Sequence, residues 1–88
     1  MPFLALTPGG LAAALDDAAK TNTAIWCGND ILSASDVDAH VERGVRLTRL
    51  AYPLTRATRE MMIRTLATIE RRHPGEPIWV ESAGRGYY

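Results

Sequence analysis

One stretch, Val45 to Val80, constrains the chain more than any other, because it reads as strand, long helix and strand with a signal at nearly every joint. Val45, Leu47, Leu50 and Tyr52 supply apolar and β-favouring side chains. Pro53 removes a ladder donor, and Thr55 is placed to cap a helix beginning at Arg56. That helix is expected to run to about Arg72. Thr58, Met62, Thr65, Leu66 and Ile69 recur on one side of it at helical spacing, and Arg56, Glu60, Arg64 and Arg71 recur on the other. One face packs and one is wet. His73-Pro74-Gly75 breaks the helix, and Pro77 to Glu81 resumes in extended form.

The first half repeats this grammar in shorter words. Phe3 to Leu6 is an apolar run that reads as a buried strand, and Thr7-Pro8 supplies a cap and a suitable first helical residue. Leu11, Ala14, Leu15 and Ala18 form the stripe of a helix that Thr21 to Thr23 ends, and Ala24-Ile25-Trp26-Cys27 is a second strand. Gly28-Asn29 has the character of a tight turn, so Asp30-Ile31-Leu32 is expected to fold back as a brief hairpin strand. Ser33-Ala34-Ser35-Asp36 matches a capping box with aspartate in place of glutamate. A short helix follows, with Val37, Val41 and His40 inward and Gly44 beyond its end.

Two strand-helix-strand units, Phe3 to Cys27 and Val45 to Val80, joined through a hairpin predict an α+β fold. This is a small two-layer sandwich with a ferredoxin-like mixed or antiparallel sheet, two main helices and one short inserted helix. If the inserted helix instead crosses over, the strands become mostly parallel with helices on both sides. The Gly28-Asn29 turn favours the first arrangement. One domain is expected over residues 1–83, and the glycine-containing tail 84–88 is expected to be mobile until something binds it.

Composition narrows the function classes. With 47% hydrophobic and 23% charged residues the chain is of ordinary globular type. No apolar run approaches the ~18 residues of a membrane span. The N-terminus lacks the form of a signal peptide, and Cys27 has no second cysteine to pair with, so a cytoplasmic location is expected. The formal net charge of zero hides a division. Residues 1–42 hold six acids against Lys20, whereas residues 43–88 hold nine arginines against four glutamates. Such a chain either mixes its charges on folding or presents an acidic and a basic side to a partner.

Each chemical motif has a plainer alternative. The opening Met1-Pro2 resembles the tautomerase superfamily over those two residues. The resemblance implies a catalytic Pro2 amine once Met1 is removed, with cationic groups around it, yet no arginine precedes Arg43. Asp36 and His40, one helical turn apart, have ligand chemistry for a divalent metal with Asp38, Glu42 or Cys27. The same spacing suits a surface hydrogen bond. Thr7-Pro8-Gly9-Gly10 at a helix start can hold an anion on free N–H groups, but no phosphate-loop lysine follows. Cys27 lies in an apolar strand, as an inert buried thiol does. Arg56, Arg64 and Arg71 form an outward strip that suits phosphates or carboxylates.

No acid-base pair, nucleophile with a base, or ligand cluster stands out. The expectation is therefore a small non-catalytic binding or regulatory module of the inhibitor, immunity or regulatory-subunit type, acting on a protein partner or a second copy of itself, a homodimer. Cofactor and metal are not expected, and nucleic acid is disfavoured by the net charge of zero. Arg56, Arg64, Arg71, Arg85, Tyr87 and Tyr88 are the predicted contact residues, since tyrosine and arginine give strong contacts from a loose segment. The alternatives are a small enzyme or metal-binding protein centred on Pro2, Cys27 or Asp36/His40, and nucleic-acid binding through the arginine strip.

Overall fold

The computed structural model of the chain describes residues 1–81. Elements follow in the order β1 (Phe3–Ala5), α1 (Pro8–Thr21), β2 (Ile25–Cys27), α2 (Ala34–Glu42), β3 (Leu47–Arg49), α3 (Arg59–Arg72) and β4 (Trp79–Val80). Local chemistry sets most of the boundaries. Thr7 is extended and accepts a hydrogen bond from the Gly10 N–H, Pro8 follows it, and Asn22 closes α1 in the left-handed conformation at φ 57°. Ser33 accepts from the Asp36 N–H to open α2, and Gly44 at φ 90° follows its end.

The sheet is parallel throughout, in the order β3-β2-β1-β4. The expected ferredoxin-like, mixed or antiparallel arrangement is therefore corrected, while the coarser expectation of a small chain of three helices and a four-stranded sheet holds. The hairpin on which it rested does not form. Asn29 donates its backbone N–H to the Tyr52 carbonyl, Arg49 Nε takes the Leu32 carbonyl at 2.7 Å, and Asp30 turns its carboxylate to the N–H groups of Leu54 and Thr55 and to the Thr55 hydroxyl. Residues 28–33 are thus drawn onto the loop after β3 and cannot run back along β2. Gly28 is required for this approach, since a Cβ there would stand 2.7 Å from the Leu54 nitrogen.

Successive residues of the central strands point to opposite faces, and both faces are covered. Ala5, Ile25, Cys27 and Leu47 pack with Leu11 and Ala18 of α1, with Phe3 and Val37 against them. Leu4 and Trp26 pack with Leu50, Leu54 and Ile69, with Met62 and Leu66 of α3 against them. Strand order accounts for the division. The chain steps from β1 through β2 to β3 in one direction and then returns past β1 to β4, so crossovers of one hand place α1 and α2 on one face and α3 on the other.

The long helix begins three residues later than the sequence predicts. Asp30 holds Leu54 and Thr55 in a turn, Arg56 takes a left-handed backbone at φ 60°, and Thr58 rather than Thr55 caps the helix by accepting from the Met61 N–H. Its inner face is the predicted one except at Thr58, which is exposed at the cap: Thr65 and Ile69 are buried and Met62 and Leu66 half-buried. Thr65 donates to the Met61 carbonyl and receives the Tyr52 hydroxyl at 2.7 Å, so its burial leaves no polar atom unpaired. Val41, read as inward, is 49% exposed, and α2 buries no residue at all.

Candidate functional site

In an open parallel sheet, ligands bind outside the carboxyl ends of the strands where the strand order reverses. Here that point lies between β1 and β4, and the first turn after β1 leads into the N-terminus of α1. At this helix start Leu6 and Thr7, and not the expected N–H groups of the glycines, bind the chain's own Glu81, while the Gly10 N–H goes to the Thr7 hydroxyl. One carboxylate oxygen accepts the backbone N–H groups of Leu6 at 2.7 Å and Thr7 at 2.9 Å, and the other accepts the Thr7 hydroxyl. A Cβ at residue 10 would overlap this carboxylate, so glycine there is what lets Glu81 reach the helix end. The fixed positive end of α1 is met by a charge supplied from β4.

The outer face of α3 has the opposite character. Arg59, Arg64 and Arg71 are exposed along it, with Glu60 and Glu70 among them, and Arg72 is exposed at its end on the side of the sheet. The ion pairs among the described residues are those of Glu76 with the Met1 amino group and with His73, and neither involves an arginine of α3. Arg71 instead donates weakly to the Thr68 hydroxyl at 3.3 Å, and Arg72 lies over the Trp26 ring at 5.9 Å. Ile63, between Arg59 one turn before it and Arg64 next to it in sequence, has 58% of its surface exposed. Arg56 is exposed as well, but its position in the turn before α3 removes it from the strip formed by Arg64 and Arg71.

The charge division of the sequence is also a division of layers. Helices α1 and α2 carry exposed Asp16, Asp17, Asp36, Asp38 and Glu42 against Lys20, whereas α3 across the sheet carries four arginines against two glutamates. Arg43 and Arg46 border the acidic layer and are exposed, Arg43 donating to the His40 ring and Arg46 to the Asn22 carbonyl.

The remaining predicted groups are scattered. Pro2 is fully buried and its carbonyl accepts the Trp79 N–H. Cys27 is buried in β2, where desolvation pushes its thiol up to about 11, with nearby Arg49 opposing and Asp30 adding. Asp36 is exposed on α2 while His40 faces Arg43, and among the described residues no group of three His, Cys, Asp or Glu could hold a metal ion. Arg85, Tyr87 and Tyr88 lie outside the described residues. No helix among the described residues is long and apolar enough to cross a membrane.

A polar chain that the sequence does not reveal runs beneath α3. The Trp26 indole donates to His73 Nε2 at 3.3 Å, which leaves the His73 Nδ1 proton facing Glu76 at 3.5 Å, and Glu76 meets the Met1 amino group at 3.3 Å. The hydrogen bond from that amino group holds the Glu76 carboxyl below the ordinary carboxylate range. This network ties the end of α3 to β2 and to the start of β1, and with His73 buried it serves structure. Ile63 and Glu81 are the features of the candidate site that sequence reasoning missed. Ile63 had a signal, an isoleucine on the arginine side of an amphipathic helix. Glu81 had none, because its partner lies 74 residues away. No protein-family model matches the chain, and no curated protein or solved structure matches it significantly.

Proposed function

We propose that the chain is a non-catalytic docking module that receives an acidic protein surface on the outer face of α3. The observation that carries this reading is that the arginines of α3 form no ion pair among the described residues while Ile63 stands exposed one turn from Arg59 and next to Arg64. An apolar anchor flanked by guanidinium groups is a pattern of interface centres, since the anchor supplies burial and the planar cations pair with carboxylates. Arg64 and Arg71 are the contact residues on the helix, with Arg56 beside its start. An enzyme centred on Pro2, Cys27 or Asp36/His40 has less support, because the first two are buried and the third pair is not joined by other ligands.

A second copy of the chain is a partner of the required chemistry. Its α1 and α2 present carboxylates where α3 presents arginines, and the two surfaces lie on opposite sides of the sheet. Such a contact is head-to-tail rather than two-fold, so it extends with concentration and weakens with salt.

Capture of a partner from the native cell with four immobilised forms of the chain, the parent and three variants, tests the reading. Ile63→Glu and the double change Arg64→Glu/Arg71→Glu should both lose the same protein, and Asp36→Asn/Asp38→Asn should retain it. Equal capture by all forms would remove α3 as the docking face. Recovery of nuclease-sensitive material with a steep salt dependence would assign the arginines to phosphate instead.

A further inference from the structure

Beside the edge strand β3, on the α3 side of the sheet, lies a groove of about 330 Å³, a volume that suits a small ligand. Parallel register sets Thr48 next to Trp26, whose ring belongs to the α3 face, so Thr48 points to that face as well. Arg46, just before β3, lines the groove from the strand side, and Arg72, at the end of α3, lines it from the helix side. Val41 and Val45 give it apolar surface toward α2, and Val41 is 49% exposed. The polar groups of the groove are donors with capacity to spare. Arg46 gives one long hydrogen bond, 3.4 Å to the Asn22 carbonyl, and Arg72 lies over the Trp26 ring at 5.9 Å, a contact that consumes none of its N–H donors. The Thr48 hydroxyl makes no hydrogen bond among the described residues. His73 also lines the groove, but its ring nitrogens are committed to the Trp26 indole and to Glu76. Among the described residues no carboxylate lines it.

We infer that this groove binds a small phosphate monoester, with Arg46, Arg72 and Thr48 on the phosphate and Val41 and Val45 against its organic body. The number and placement of the donors select the anion. A planar carboxylate is satisfied by the fork of one guanidinium. Two guanidinium groups from different elements, with a hydroxyl between them, instead surround a tetrahedral group that has three free oxygens and carries roughly two negative charges near neutral pH. The stacking of Arg72 on Trp26 holds one of the two cations in place before the ligand arrives, which lowers the cost of ordering it. The valines add burial that a bare anion does not use, so the ligand is an ester. The inference is independent of the docking reading, because Arg46 and Arg72 are not among the contact residues of the outer face of α3.

Trp26 provides the test, because it lines the groove beneath Arg72. Phenyl phosphate titrated into the full chain should move the Trp26 indole N–H resonance saturably at millimolar concentration or below. Arg46→Ala should weaken that binding about tenfold, Arg46→Lys less, and Thr48→Val severalfold, while Arg64→Ala on the outer face of α3 should bind as the parent does. Arg46 is exposed, so its loss leaves the fold intact and the comparison valid. Inorganic phosphate should bind more weakly than phenyl phosphate, and benzoate more weakly still. No saturable shift, or equal binding by the parent and Arg46→Ala, would overturn the inference. Benzoate held as tightly as phenyl phosphate would overturn it in favour of a carboxylate, and inorganic phosphate held as tightly would overturn the assignment of an organic body.

Discussion

The two faces of the sheet solve the same packing problem with different side chains. On the face of α1 and α2 the buried contacts are largely small: Ala5, Ala18 and Cys27 fill between Leu11, Ile25 and Leu47, and α2 buries no residue. On the face of α3 the contacts are large: Trp26, Leu4, Leu50, Leu54 and Ile69, with Thr65 and His73 as satisfied polar groups. Small residues let α1 lie close to the strands, and the second helix on that face adds cover without deep anchoring. A single helix on the other face must do the work with bulk. The difference predicts where the molecule is fragile and where it tolerates change.

The largest effect is expected on the α3 face. Ile69→Ala should cost on the order of 2–5 kcal/mol in denaturant unfolding, more than Leu66→Ala, whose side chain is only half-buried. A loss below ~1 kcal/mol would mean that this face does not rely on its large side chains. Next comes Gly28→Ala, at roughly 1–3 kcal/mol, because its Cβ meets the Leu54 backbone nitrogen and not a movable side-chain end.

A smaller effect belongs to the α1 face and its Glu81 anchor. Gly10→Ala and Glu81→Ala should each cost about 1–2 kcal/mol, and the double variant should cost little more than either, since both remove the same hydrogen bonds at Leu6 and Thr7. Additive costs would show that the glycine serves some other purpose. Cys27 adds a pH signature to that face. Its thiol is raised in the folded protein, so the native state keeps a proton that the unfolded chain releases first, and stability should fall as pH rises from about 9 to about 11. Cys27→Ala should flatten that limb, measured as the thermal midpoint across the alkaline range. The smallest effect is Val41→Ala on α2, expected within about 0.5 kcal/mol of the parent.

Local chemistry made much of this fold legible. Thr7-Pro8 and Ser33 announce α1 and α2, and the spacing of Met62, Thr65, Leu66 and Ile69 gives the inner face of α3. Strand direction was less accessible, although one sign of it was present. Phe3-Leu4-Ala5 and Ile25-Trp26-Cys27 are apolar at every position, as strands covered on both faces must be, whereas a two-layer sheet calls for alternation. The Gly28-Asn29 pair outweighed that sign because a turn is readable from two residues, and the long-range ties of Asp30 to Thr55 and of Arg49 to Leu32 are not. The same long-range contact delays α3 and separates Arg56 from Arg64 and Arg71. The charge division was legible in the sequence, and its separation into layers depends on the strand order.

The central claim is that the arginine face of α3, and not the acidic layer opposite, meets the partner. Photo-crosslinking in the native cell, with a photoreactive residue placed at Ile63 in one form and at Asp38 in the other, compares the two layers directly. The account predicts a discrete adduct with an acidic protein from position 63, abolished by Arg64→Glu/Arg71→Glu, and none with that protein from position 38; where the partner is a second copy, both positions give the adduct and the arginine changes abolish both. The same adduct from position 38 and none from position 63 would contradict it.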